Sequence, residues 1–407
     1  MNSRTTNDSH ESDLLNKFQY YVDGARVFDD LPHKPYQTII DKVLSPCEVI
    51  VKGKRTLMLG ANNYLGLTAD PGLKELAKQT IDEYGIGTTG ARPMNGNFLL
   101  HKELEKEIAD FMGCRHAVVF TTGYQTNLGF IPTLCGLNDI ILIDADCHAS
   151  IYDGCQMSNA DTIRFRHNNV EDLERRLKRL EKRRKNKLII VESCYSVLGD
   201  ITPLEKIVEL KQEYNAYLLV DDAHGFGVFG KTGRGLAQEL GIEDQVDFTM
   251  GTFSKALAGI GGFIVSNHEQ LPYLHYCARS YMFSASASPA NITTVTRALK
   301  IIREKPHLRK ALWDNSRYMR QQLKGLGFDV VDADSPIVSL IVGEQEKAIL
   351  FWEALLEAGV YVNVYVPPTT PKDRCVIRTS YSPTFDSALL DEALSIFSGQ
   401  GRLLGVI

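Results

Sequence analysis

Tyr217-Leu218-Leu219-Val220 runs directly into Asp221-Asp222-Ala223-His224-Gly225. Four consecutive apolar residues followed by a polar, glycine-containing stretch read as a short strand, buried on both faces, that ends in a loop. The same arrangement recurs along the chain. Ala117-Val118-Val119-Phe120 leads into Thr121-Thr122-Gly123-Tyr124-Gln125-Thr126-Asn127, and Ile140-Ile141-Leu142-Ile143-Asp144 into Ala145-Asp146-Cys147-His148-Ala149-Ser150. Leu188-Ile189-Ile190-Val191 leads into Glu192-Ser193-Cys194-Tyr195-Ser196, and Phe248-Thr249-Met250 into Gly251-Thr252-Phe253-Ser254-Lys255. With helical stretches between them, such strands predict an α/β fold with a mainly parallel sheet and helices on both faces. Ligands of these sheets collect at the carboxyl ends of the strands, where most of the chemistry-bearing residues of this chain fall.

The chain has 407 residues, enough for a large core and two domains. Its 44% hydrophobic and 23% charged residues are those of a soluble globular protein, and a net charge of -5 argues against nucleic acid as a partner. Eight scattered cysteines include no Cys-x-x-Cys pair, so a reducing cytoplasm is the expected location and no metal site is expected. The polar residues through Ser12 lack the apolar core of a signal peptide. No run of about 18 apolar residues is long enough to span a bilayer, which leaves only peripheral membrane contact open.

Around the central units, Leu14 to Val27 has helical spacing, and residues 48–51 and 56–59 predict a hairpin about Lys52-Gly53-Lys54. Asp70-Pro71 reads as the N-cap and first residue of a helix through Tyr84. The glycine-dense stretch Gly85 to Gly96 reads as a loop, and the next helix carries Leu100, Leu104, Ile108 and Phe111 on one face. Residues 173–187 are rich in Arg and Lys around the stripe Leu173, Leu177, Leu180: a solvated helix face, or a surface for an anionic membrane or acidic partner. Beyond Ser288-Pro289 the order changes to helix, strands at 329–331 and 337–341, helix 347–358, strand 375–379 and a last helix 386–397. Three regions are therefore expected: an N-terminal arm and hairpin (1–60), a large domain (61–290) and a small α+β domain (291–407).

Lys255, just past a strand end, can lie in a closed pocket where desolvation frees its amine to form a Schiff base. Asp221, at the end of another strand, supplies the carboxylate that a pyridinium nitrogen requires. Together these residues point to pyridoxal 5'-phosphate (PLP). Lys255 is expected to hold its aldehyde, Asp221 its ring nitrogen and His148 its ring face, with His224 and Ser196 at the 3-hydroxyl. The backbone N–H groups of Gly123 and Tyr124, at a helix start, suit the phosphate, and Thr252 and Ser254 add hydroxyls beside the lysine.

At these residues the chain resembles the α-oxoamine synthases, a family of fold-type I PLP enzymes, from about Val43 to Phe397. The resemblance rests on Asn62-Asn63-Tyr64-Leu65-Gly66, the Gly85 to Gly96 loop, Asp146 to Ser150, Asp221 to Gly225 and Gly251 to Lys255. It implies a mainly parallel seven-stranded sheet with a smaller C-terminal domain. It also implies a decarboxylating condensation of an amino acid with an acyl-CoA, with Lys255 and His148 as catalytic residues and Arg378, helped by Asn63, holding the amino acid's carboxylate. Gly87 to Arg92, His148 to Gly154, Arg164 to Asn168 and Tyr361-Val362-Asn363 most resemble the branch that joins L-serine to a long-chain acyl-CoA, giving 3-ketodihydrosphingosine. Other branches use alanine with a pimeloyl thioester or glycine with acetyl-CoA. In this family two subunits share each site, so a homodimer is implied, with Ser284 serving the neighbour's cofactor. The chain departs from the family at Val366, where relatives often carry an arginine before the Pro-Pro pair.

Overall fold

The computed structural model describes residues 14–26, 34–181, 185–371 and 373–407. Its centre is a seven-stranded sheet of β4 (His116–Phe120), β5 (Asp139–Asp144), β6 (Asp161–Phe165), β7 (Asn186–Glu192), β8 (Tyr217–Asp221), β9 (Phe248–Thr252) and β10 (Gly262–Ser266), numbered after three N-terminal strands given below. The spatial order is β4-β10-β9-β8-β7-β5-β6. β6, β5, β7, β8 and β9 are mutually parallel, and β10 runs antiparallel to both β9 and β4. The apolar runs are continuous because each strand feeds two cores. On β5, Ile141 and Ile143 join the cluster containing Phe130 and Ile151, while Ile140 and Leu142 join the one containing Leu173 and Ile207.

The helices begin where the sequence signals them. Asp70 caps the helix Pro71–Tyr84 by accepting from Leu73 N–H, and Thr122 caps Gly123–Leu134 by accepting from Gln125 N–H at 3.0 Å. In the basic stretch the helix is Val170–Leu180, with Leu173, Leu177 and Leu180 buried. Its charges are largely paired, Asp172 with Arg175 and Arg176 and Lys178 with Glu174, as on a solvated face.

Three N-terminal strands, β1 (Lys42–Ser45), β2 (Glu48–Val51) and β3 (Lys54–Met58), form the expected hairpin extended by one strand. This sheet is completed from the other end of the chain by β12 (Val360–Tyr361), parallel to β3. Val49, Val51 and Leu57 accordingly share a core with Trp352, Phe351 and Phe397. The other C-terminal sheet has the order β11 (Ile337–Gly343), β14 (Cys375–Ser380), β13 (Asn363–Tyr365), all antiparallel. The helix Pro289–Glu304, which spans the expected boundary at 290, packs on Pro71–Tyr84 and Leu99–Met112 in the larger body.

Three local expectations change. Residues 329–331 are not a strand: Val330 makes one isolated bridge to Leu340, in a segment whose Asp329, Asp332 and Asp334 disfavour a ladder. The edge strand β6, largely exposed, lacks the apolar run that marks its neighbours. The last helix continues to Leu403 through Gly399 and Gly401. Gly401 belongs there because a Cβ would lie 2.7 Å from the Phe328 ring.

Candidate active site

A cavity of about 310 Å³ opens at the carboxyl end of the sheet, its wall built from strand-end loops and the start of the helix Gly123–Leu134. Lys255, three residues past β9, enters it from one side; Asp221, the last residue of β8, and Glu192, the last residue of β7, enter from beneath. Glu192 and Asp221 are direct partners in the β7–β8 ladder, which sets two carboxyl groups side by side. His148, the N-cap of the helix Ala149–Met157, faces the cavity from above β5.

The electrostatics are those of a dry, crowded site. Burial lowers the proton affinity of Lys255 to about 8, overcoming the opposing pull of Asp221 and Glu192. Burial also takes His224 well below its ordinary value, and the positive charges of Lys255 and Arg378 add to the effect, so its imidazole is neutral. Glu192 moves the other way: burial and then the charge of Asp221 hold its carboxyl well above the carboxylate range.

Hydrogen bonds fix the wall. Asp221 Oδ1 accepts from Ala223 N–H at 3.1 Å and Oδ2 from Asn127 Nδ2 at 2.9 Å. The backbone N–H of His148 donates to Glu192, and the His148 ring meets that of Tyr124 edge-on with centroids 6.0 Å apart. His224 Nδ1 bonds the Tyr64 hydroxyl at 2.7 Å. Thr252 Oγ1 donates to Gly261 O at 3.0 Å and lies 3.0 Å from Ser254 Oγ, closing the loop beside Lys255. Gly123 is required there, since a Cβ would sit 2.9 Å from Thr252 Oγ1 and fill the approach to the helix start.

The structure thus brings Lys255, His148, Gly123, Tyr124, Asp221, His224, Thr252 and Ser254 to one cavity. Arg378, on β14 and 1% exposed, lies one layer behind it: Nε donates to Ser196 O at 2.9 Å, while Nη2 donates to Asn62 Oδ1 at 2.8 Å and to the Tyr64 hydroxyl at 3.2 Å. Two of the expected residues make further contacts beside Arg378. Asn62 bonds Arg378, while Asn63 Nδ2 donates to Thr68 Oγ1 at 2.8 Å. Ser196 meets Arg378 through its carbonyl and does not line the cavity. Ser284 also lies outside it, accepting from Gln125 Nε2 at 3.0 Å beside a second, small hollow that includes Arg92 and Thr121. Glu192, Asn127, Ser150 and Tyr64 were not singled out from sequence, although Glu192 occupies a strand end like Asp221.

The donor set fits PLP. A buried carboxylate suits a pyridinium nitrogen, a helix start crowded against Thr252 suits a phosphate, and an amine of lowered proton affinity suits an aldehyde. Comparison with known proteins agrees. The family model for aminotransferase class I and II matches residues 54–397. A serine palmitoyltransferase of Caulobacter vibrioides is 45% identical over 97% of this chain and 98% of its own length. An 8-amino-7-oxononanoate synthase of Lysinibacillus sphaericus is 41% identical over 88% and 92%. The solved structure of serine palmitoyltransferase from S. paucimobilis with bound PLP and myriocin superposes with a TM-score of 0.94 at 41% identity, covering 97% of this chain and all of that one. The chain belongs to the aminotransferase class I and II family, among its α-oxoamine synthases, and is a PLP-dependent enzyme.

Proposed function

We propose that this enzyme condenses L-serine with palmitoyl-CoA, releasing CoA and carbon dioxide and leaving 3-ketodihydrosphingosine, the entry step of sphingolipid synthesis. The observation that carries the reading is the placement of a buried Lys255 of lowered proton affinity in the cavity whose His224 is linked through the Tyr64 hydroxyl to a fully buried guanidinium, Arg378. The extent of identity to serine palmitoyltransferases supports the choice of amino acid and acyl donor.

PLP supplies the electron sink that lets bonds at the amino acid's Cα break heterolytically. Lys255 would hold its aldehyde, Asp221 its ring nitrogen, His224 its 3-hydroxyl and His148 its ring face, with the Gly123–Tyr124 helix start, Thr252 and Ser254 at its phosphate. Lys255, whose proton affinity burial lowers to about 8, would be the general base for the Cα proton. Arg378 offers a planar guanidinium to the serine carboxylate, and Asn62 and the Ser196 carbonyl hold its plane fixed. His148 donates to the carboxylate or the thioester carbonyl. Val366 is buried in the C-terminal core, so the position before Pro367-Pro368 adds no second cation beside Arg378.

A homodimer with shared sites suits the apolar side chains left exposed around the 85–96 loop and Ser284: Ile86 at 83%, Met94 at 77% and Phe283 at 76%. The eight cysteines are all unpaired, which suits a reducing cytoplasm, and among the described residues no helix is long and apolar enough to cross a membrane.

The test is a titration of the PLP-loaded enzyme with L-serine, L-alanine and glycine, followed through the cofactor's absorbance, then addition of palmitoyl-CoA with thiol release as readout. A saturable response to serine, with CoA released only when palmitoyl-CoA follows, is expected. A response chiefly to alanine would move the enzyme to the 8-amino-7-oxononanoate branch, which the 41% identity over 88% of the chain keeps as the second reading.

A further inference from the structure

Four polar side chains, Asn127 behind the cavity and Asp221, Ser150 and His148 in its wall, form a continuous chain whose hydrogen positions follow from elementary rules. Asp221 Oδ2 is a carboxylate oxygen and accepts, so the Asn127 atom 2.9 Å away is the amide nitrogen. That nitrogen also donates to Ser150 Oγ at 2.9 Å. Ser150 Oγ, accepting from Asn127, has its own hydrogen free for the remaining neighbour, His148 Nδ1, at 2.8 Å. The backbone N–H of Ser150 points at the same nitrogen from 3.2 Å. Two donors converge on Nδ1, which therefore presents its lone pair, and the ring proton resides on Nε2.

We propose that Ser150, oriented by Asn127, is a positioning residue that fixes His148 as the Nε2–H tautomer and so makes it a hydrogen-bond donor, not a base, toward the substrate. The chain Asp221–Asn127–Ser150–His148 then links the carboxylate beneath the cofactor site to the imidazole above it, and a change of charge at one end alters the donor strength at the other. Protonation of Nδ1 would set a third donor hydrogen against the Ser150 O–H and N–H already directed at it. The charges facing the ring act on the same balance: burial and Lys255 lower its proton affinity, while Asp221 and Asp153 oppose them. The division of labour with Lys255 follows, since the lysine removes the proton and the histidine neutralises an oxygen. The substrate-directed part of this inference rests on the proposed condensation; the tautomer does not.

The decisive experiment is 15N NMR of histidine-labelled protein, with and without PLP, the His148 signals being assigned by their loss in His148→Gln. The expected result near neutral pH is an unprotonated Nδ1 and a protonated Nε2. Ser150→Ala removes one of the two donors and should admit the other tautomer and a higher proton affinity, adding an ionisation to the pH profile of kcat/KM. It should also lower kcat/KM for the amino acid about tenfold while sparing KM for the acyl-CoA. Ser150→Thr, which keeps the hydroxyl, should restore both tautomer and rate. A protonated Nδ1 in the unaltered protein, or a Ser150→Ala variant with unchanged tautomer and pH profile, overturns the proposal. Preference for alanine over serine in the spectral titration would change the substrate and leave the NMR result standing.

Discussion

Lys255 and His167 are both basic groups at the carboxyl end of the central sheet, yet one has its hold on a proton loosened and the other has it strengthened. Burial lowers both. Around Lys255 the nearby carboxyl groups of Asp221 and Glu192 only partly offset it, and the amine settles at about 8. His167, just past β6, is clamped instead: Nδ1 bonds Asp144 at 2.8 Å and Nε2 bonds Asp200 at 2.5 Å, and these two contacts lift it from 6.5 to about 10. Lys255 is the more deeply buried of the two, and only His167 has carboxylates in hydrogen-bond contact with its nitrogens. A group meant to change state is left underpaired, and a group meant to tie three strand-end loops together is paired at both nitrogens.

The most severe way to break the comparison is at its labile end. Lys255→Ala should cost about a thousandfold or more in turnover while leaving thermal unfolding near normal; appreciable turnover would remove Lys255 from the chemistry. At the other end, His167→Gln leaves the buried Asp144 and the half-buried Asp200 without their cation and should lower unfolding free energy by about 3–5 kcal/mol, with kcat nearly unchanged at low temperature. Denaturant midpoints check this, and a fall in kcat without loss of stability would make the clamp catalytic. Because His167 binds its proton more tightly folded than unfolded, its stabilisation is complete below about 6.5 and disappears as pH rises through about 10. Midpoints measured across that window should fall in the native protein and stay flatter in His167→Gln. Arg378→Ala should raise KM for L-serine by about 10- to 100-fold, as expected for losing a charge-assisted bond of about 1.5–3 kcal/mol, and leave KM for palmitoyl-CoA within about twofold. Equal changes in both would mean that Arg378 supports the fold more than the substrate.

The parts of this site that were legible in sequence are those set by a strand and the loop that follows it. Asp221, His148 and Lys255 each end an apolar run or follow one closely, and Asp70-Pro71 announces its helix through local capping chemistry alone. What escaped depends on contacts between distant segments. Asn62 and Asn63 are indistinguishable until Arg378 arrives from more than 300 residues away to meet one of them. The bond that the Ser196 carbonyl accepts from Arg378 likewise has no signature in the sequence. Ser150 and Asn127 have no sequence signature, because their roles are defined by hydrogen-bond partners on other elements. β6 was missed for a different reason: an exposed edge strand buries too little to leave an apolar run.

The pairing of β3 with β12 has a consequence for biosynthesis. Leu57 N–H donates to Gly359 O, Leu59 N–H to Tyr361 O, and Ser380 N–H to Leu59 O, so a segment translated early waits for partners made some 300 residues later. The nearby Asn62–Arg378 contact is sealed by the same closure. Ribosome-bound chains can assemble the strands that carry Asp221 and Lys255 well before residue 378 emerges, so the capacity to hold cofactor should mature before the capacity to hold amino acid. The expected order of maturation in a nascent chain is therefore cofactor site first, amino-acid site last.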